Sequence, residues 1–309
     1  RDSCTFQLGA LAGIFDRILP EPEVMLRANH SCVGREKQFQ SASMLYGKPY
    51  HYIDLPNHFV GTTEDYVTQQ IEELFHKLER QFGPKATPSR IEEVFAHSNR
   101  MRENCLKLNE LRKQRILPVD PRTMFFIIPV IAGYLEPSQQ LADLTEKIYQ
   151  EFATLGENAG PEEVCRLFLM LAPFLFPSQP FYDWLEKEMG VRFVFEEQSH
   201  IYWRALDPAD PFRSLARKCL DMDWVGPLSR RMAAADRLVD AYQAHGVLFT
   251  SIWGCRHLIG GVQLVRKHFA QRGIPFLNLD VDLGDERSVD FASIQSRIEE
   301  FLEIIRRPL

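Results

Sequence analysis

Short apolar runs alternate along the chain with longer stretches whose apolar residues recur every three or four positions. Val24-Met25-Leu26 predicts a strand, with Asn29 to Cys32 as its exit loop. A helix is expected over roughly Arg35 to Leu45, then a second strand over Tyr50 to Leu55, closed by Pro56. Val67, Ile71, Leu74, Phe75, Leu78 and Phe82 lie at helical spacing, and Gly83-Pro84 stops that helix. Thr87-Pro88 supplies an N-cap and a first-turn proline for the next one, whose apolar face runs through Ile91, Val94, Phe95, Met101, Cys105 and Leu108. Two more helices are expected between Pro121 and Leu155, and a loop from Gly156 to Gly160.

Beyond that loop the alternation is regular. Strands are expected at Leu167–Ala172, Val191–Phe195, Val247–Trp253 and Ile274–Leu279. Helices are expected at Phe181–Met189, Pro211–Leu220, Met232–His245 and Arg256–Gln271. Ile294, Ile298, Phe301, Leu302 and Ile305 mark a terminal helix. Strands that are apolar throughout and separated by helices belong in a parallel sheet covered on both faces. The expected fold is therefore α/β. It has an N-terminal lobe over 1–60, a helical section over 61–159 and a C-terminal lobe over 160–309, with parallel sheets flanked by helices and a cleft between the lobes.

Composition narrows the function. The 309 residues are 45% hydrophobic and 25% charged, with a net charge of −6. Mild acidity without a strongly basic stretch argues against nucleic acid as a partner. The longest apolar stretch, Met124 to Leu135, is interrupted by Pro129 and Gly133, so no membrane span is expected. No signal-peptide pattern is read at the start. No glycine-rich phosphate loop is present, so ATP binding by this chain is not expected. Six cysteines (Cys4, Cys32, Cys105, Cys165, Cys219 and Cys255) stand at long spacings. The expected setting is a reducing cytoplasm, where thiols either fill the core or bind metal.

In open parallel sheets ligands bind beyond the carboxyl ends of the strands. Cys32 follows the first strand after a short loop, and Cys255 follows the Val247–Trp253 strand with only Gly254 between. Each precedes a helix, and Cys4 opens the helical stretch Phe6 to Leu19. A helix N-terminus carries partial positive charge and unpaired N–H groups, which favour a thiolate. Soft thiolates select zinc or iron–sulfur. Cys105 lies on an apolar stripe, Cys165 opens a strand and Cys219 lies near a helix end, so these three are expected to be packing residues. No C-x-x-C pair is present, and local spacing leaves core thiols, a zinc site and an iron–sulfur site all open.

The order of several motifs resembles that of the 2-hydroxyacyl-CoA dehydratase / benzoyl-CoA reductase family. Ser3-Cys4-Thr5-Phe6 opens a helix, and Asn29-His30-Ser31-Cys32 follows a strand, similar to the family's first two cluster cysteines. Asn99-Arg100 and Leu108-Asn109-Glu110-Leu111-Arg112-Lys113 resemble its helical arm. The C-terminal pattern is the fullest match: Trp253-Gly254-Cys255-Arg256, Gly273-Ile274-Pro275, Leu279-Asp280-Val281-Asp282, Asp285-Glu286-Arg287, then Gln295, Arg297-Ile298-Glu299, Phe301 and Glu303. The resemblance covers nearly the whole chain. Two features depart from it. Family members carry a further strand and helix before the first cluster cysteine, so this chain is expected to lack its natural N-terminus. Val33-Gly34 also follows Cys32 where an acidic residue is usual.

The resemblance implies a subunit similar to the D-component of 2-hydroxyglutaryl-CoA dehydratase, with Cys4, Cys32 and Cys255 holding a 4Fe–4S cluster. It implies three partners: a related second subunit, a separate ATP-hydrolysing iron–sulfur activator that injects a low-potential electron, and an acyl-CoA substrate. In dehydratases of the family the electron reaches the thioester carbonyl and hydroxide leaves from a neighbouring carbon; in the reductases electrons enter an aromatic ring. Around the cluster, His30, Ser31, Arg256 and His257 are candidates to hydrogen-bond cluster or substrate. His200 and Arg204, in the loop after the strand ending at Phe195, are candidates for substrate or CoA contact. For Asp280, Asp282, Asp285 and Arg287 the expectation is a braced loop. Two other readings stay within the group: a non-catalytic scaffold or electron-relay subunit, and a double-cubane reductase, for which Cys105, Cys165 and Cys219 are poorly placed.

Overall fold

The structure, a computed structural model, describes residues 3–30, 32–83, 86–113, 120–155, 165–172 and 179–306. Ser31, Pro84 and the expected loop from Gly156 to Gly160 lie outside the described residues. In chain order the elements are α1 (Thr5–Phe15), β1 (Met25–Ala28), α2 (Val33–Tyr46), β2 (Tyr50–Ile53), α3 (Thr63–Phe82), α4 (Pro88–Leu111), α5 (Pro121–Phe125) with a π-helical continuation Phe126–Tyr134, and α6 (Gln139–Thr154). Then come β3 (Cys165–Met170), α7 (Gln179–Asp183) continued by a π-helical turn, β4 (Val191–Glu196), α8 (Pro211–Asp221), α9 (Leu228–Ala241), β5 (Gly246–Ile252), α10 (Arg256–Ile259), α11 (Val262–Gln271), β6 (Phe276–Val281) and α12 (Phe291–Arg306). This is the α/β class expected from the alternation, with parallel sheets flanked by helices.

Two compact units interleave along the sequence. The first comprises Arg1–Ala96, Tyr202–Arg231 and Trp253–Gly260; the second comprises His97–Ile201, Met232–Ile252 and Gly261–Leu309.

In the first unit β1 and β2 pair in parallel, Met25 opposite Tyr50 and Ala28 opposite Ile53. The apolar stripe of α3 (Val67, Ile71, Leu74) meets Ala216 and Leu220 of α8 and the end of β2 at Ile53 and Leu55. This is the buried face that the helical spacing predicts. Arg213 of α8 reaches Glu64 and Asp65 of α3, and Arg217 reaches Glu64. A second cluster of Ile14, Met25 and Ala42 joins α1, β1 and α2, and the Tyr46 hydroxyl donates to the Ile14 carbonyl at 2.9 Å.

In the second unit four parallel strands run in the order β4-β3-β5-β6. Every residue of β3, β4 and β5 is buried, as central parallel strands covered on both faces require. Phe168, Phe195, Phe249 and Phe269 are among the largest fully buried side chains. Gly246 opens β5 where a Cβ would meet Ile305 and Phe301 at 2.8 and 3.0 Å, so α12 lies close against the strand only because that residue is glycine. Arg112, at the end of α4, donates to both carboxylate oxygens of Glu196 at 2.7 and 2.8 Å, with both side chains buried. The Ser199 hydroxyl donates to the same carboxylate.

Two local differences from the pattern have clear causes. The helix expected over Arg256–Gln271 is broken at Gly260-Gly261 into α10 and α11, because two successive glycines favour helix least among residues other than proline. The apolar stretch holding Pro129 is π-helical, a wider turn that accommodates the missing N–H. Among the described residues no helix is long and apolar enough to cross a membrane.

Candidate functional site

The β1–α2 turn is held by side chains from the strand ends. Asn29 accepts from the Leu55 amide at 2.7 Å and donates to Asp54 Oδ1 and to the Leu55 carbonyl, tying the exit of β1 to that of β2. The Asp54 amide in turn donates to Gln70 Oε1 of α3. Cys32 then caps α2 in an extended conformation, its Sγ accepting from the Arg35 amide at 3.3 Å. A thiol in the N-cap position takes one of the amides the helix leaves unpaired. Arg27, buried on β1, donates to the His30 carbonyl at 3.2 Å and to the Cys32 carbonyl. Burial pushes the His30 imidazole down to about 4, helped by the nearby positive charges of Arg27, Arg35 and His257; its Nδ1 is buried without a hydrogen-bond partner. His30 is therefore neutral at neutral pH.

Cys4 caps α1, and its carbonyl accepts from the Gln7 and Leu8 amides at 3.0 and 3.1 Å. Cys255 caps the short α10. Gly254, the residue before it, has φ +79, and a Cβ there would overlap the Ser3 carbonyl carbon and the Cys4 amide and stand 2.7 Å from the Ser3 carbonyl oxygen. The Ser3-Cys4 backbone thus lies directly on the Gly254-Cys255 turn. On the other side, a Cβ at Gly34 would meet Gln7 Cγ at 3.6 Å and Cys32 Sγ at 3.9 Å, so the first turn of α1 also rests on the start of α2. Cys4, Cys32 and Cys255 all fall in the first unit. Their three turns are neighbours through α1. Among the described residues no group of three or more His, Cys, Asp or Glu is close enough to hold a single metal ion.

The remaining candidates divide. Arg256 and His257 open α10 and are exposed; partial desolvation lowers the His257 imidazole, Arg231 and Arg27 lower it further, and a hydrogen bond with the Trp224 backbone opposes them. His200 falls in the second unit, its amide bonded to the Glu197 carbonyl at 3.2 Å. Arg204 lies in the first unit and is held by both oxygens of Asp221 at 2.9 Å, which raises its already high pKa. The β6–α12 loop is braced as expected: Asp282 accepts from the amides of Gly284 and Asp285 at 2.9 Å, and Asp285 pairs with Arg287.

The other three cysteines pack. Cys105 is 1% exposed and Cys165 fully buried, and burial pushes their thiols up to about 12 and about 11. Cys219 lies against the α3–α8 core. None of the six cysteines is in a disulfide. Sequence reasoning missed Arg27. The available signal was its place in β1, where alternation puts it on the buried face with Met25.

Fold and turns define an α/β protein that presents thiols at the starts of helices. The family model of the 2-hydroxyglutaryl-CoA dehydratase D-component matches residues 1–305, and the chain belongs to that family. It is also similar to a benzoyl-CoA reductase subunit from Thauera aromatica, 25% identical over 312 residues that cover 93% of this chain and 71% of that protein. Both descriptions name a component of an enzyme acting on a CoA thioester, and they do not separate dehydration from reduction.

Proposed function

We propose that this chain is the iron–sulfur subunit of a radical-type acyl-CoA dehydratase or aromatic acyl-CoA reductase, with Cys4, Cys32 and Cys255 holding a 4Fe–4S cluster. One observation carries the reading. The three cysteines each stand immediately before a helix within one compact unit, Cys32 with its Sγ accepting a helix amide, and their turns neighbour one another through α1. Helix starts supply N–H donors and positive potential, the surroundings that stabilise an anionic, thiolate-ligated cluster. Arg27 and Arg35 add full positive charges beside Cys32. A four-iron cluster spaces its thiolates more widely than a single ion does, so the absence of a single-ion group among the described residues is compatible with this donor set.

When bound, such a cluster accepts and passes single electrons at low potential and, with three protein thiolates, leaves one iron open to an oxygen or sulfur ligand. The chain's own part is to set position and electrostatics. Gly254 lets the Cys4 and Cys255 turns approach. The Asn29 and Arg27 hydrogen bonds fix the turn carrying Cys32. His30 stands partly buried at the same turn, its Nδ1 without a hydrogen-bond partner. The partners are a related second subunit, an ATP-dependent iron–sulfur activator and an acyl-CoA, in an anaerobic cytoplasm.

The test is reconstitution without air, with the related second subunit, activator and ATP, against a 2-hydroxyacyl-CoA and an aromatic acyl-CoA in parallel. Conversion of one thioester, dependent on activator and ATP, is the expected result, and its identity decides between dehydration and ring reduction. A colourless, zinc-containing protein inert toward both would contradict the reading.

A further inference from the structure

Arg27 is an arginine on the inner face of a strand, 7% exposed, in the lobe that carries Cys4, Cys32 and Cys255. Burying a guanidinium is unfavourable unless its donors are met and its charge is answered. Here the donors are met only in part. Its Nη2 bonds the His30 and Cys32 carbonyls, while its Nε is buried with no hydrogen-bond partner. Among the described residues, the charge is not answered by an ion pair with a carboxylate either. Burial disfavours its charged form first of all, and Arg35, of like charge, adds to that. His30 and His257 lie in the same field, and Arg231 acts on His257. Three arginines, Arg27, Arg35 and Arg231, thus gather around the Cys32 and Cys255 turns, beside the two imidazoles. Such a gathering is repulsive within itself and is stabilised by an anion placed among its members.

We propose that Arg27 is the positioning residue of the Cys32 arm of the cluster: it ties down the carbonyls that bracket Cys32 and supplies the buried positive charge that balances the cluster's negative charge. The inference rests on the cluster reading above. Because a fixed positive charge stabilises the more negative, reduced form, Arg27 raises the cluster's reduction potential. A lysine at this place keeps the charge but not the planar fork that fixes the turn.

The experiment measures iron and sulfide content, the cluster potential by redox titration with electron paramagnetic resonance, and the rate of iron loss to a chelator. It compares the wild-type chain with Arg27→Gln and Arg27→Lys, all prepared without air. Arg27→Gln is expected to shift the potential to more negative values. Arg27→Lys is expected to keep the potential near that of the wild type while losing iron several-fold faster. Equal potentials in all three proteins, or an equal shift in both variants, overturns the charge role. Wild-type iron loss in Arg27→Lys overturns the positioning role, and that variant decides alone if Arg27→Gln does not fold. A wild-type chain without iron and sulfide would overturn the cluster reading itself, whereas a loaded wild type with indifferent variants would overturn only the part given to Arg27.

Discussion

Alanine at position 254 adds one carbon where the Ser3-Cys4 backbone leaves no room and where φ is already left-handed. A non-glycine residue held at such a backbone conformation costs about 1–3 kcal/mol before the overlap is counted. Gly254→Ala is therefore expected to lower thermal stability and, by displacing the Cys4 turn, to reduce iron content; an unchanged melting temperature with full iron would contradict the packing described. The packing cysteines make the complementary prediction. With thiols pushed up to about 12 and about 11, Cys105 and Cys165 should stay unlabelled by iodoacetamide in the native protein and label fully once it is unfolded, as read by mass spectrometry. Candidate cysteines could be picked from the sequence because each strand-to-helix or helix-start position is local information. Gly254 could not be weighed that way, because it matters through residues at the other end of the chain. Arg27 was signalled only by the alternation of β1, which marks a buried face but not what the guanidinium bonds there.

Helices α3 and α8 show which contacts matter between elements. Leu74 lies in their shared apolar cluster, and Leu74→Ala should cost about 2–5 kcal/mol. Glu64 holds Arg213 and Arg217, yet all three side chains are a third or more exposed, so Glu64→Gln should cost less than about 1 kcal/mol. Urea midpoints should rank the two variants in that order, and the reverse order would mean that charge, not apolar burial, joins the helices. The buried Arg112–Glu196 pair behaves differently from the Glu64 network. Removing one partner strands a charge inside the second unit, so Arg112→Ala should cost about 3–5 kcal/mol. Apolar spacing made α3 and the continuous runs of β3, β4 and β5 legible from residues alone. The partner of each face was not, because a stripe does not say which element covers it. The break at Gly260-Gly261 and the π-helical turn at Pro129 are signalled by the glycines and the proline, but their form depends on packing that no spacing reports.

At the scale of the whole molecule, the chain leaves β5 of the second unit at Ile252 and enters the first unit at Trp253, which brings Cys255 into the unit of Cys4 and Cys32. Motif order was enough to suggest the family, and the match over residues 1–305 bears that out. The acyl group is not legible, since it depends on which side chains line a substrate site rather than on motifs. The most direct measurement is iron and acid-labile sulfide in the anaerobically prepared chain and in Cys4→Ser, Cys32→Ser and Cys255→Ser. The account predicts about four of each per wild-type chain and loss of most of the cluster in every variant. Full iron and sulfide in all three variants, or a colourless wild type carrying zinc, would contradict it.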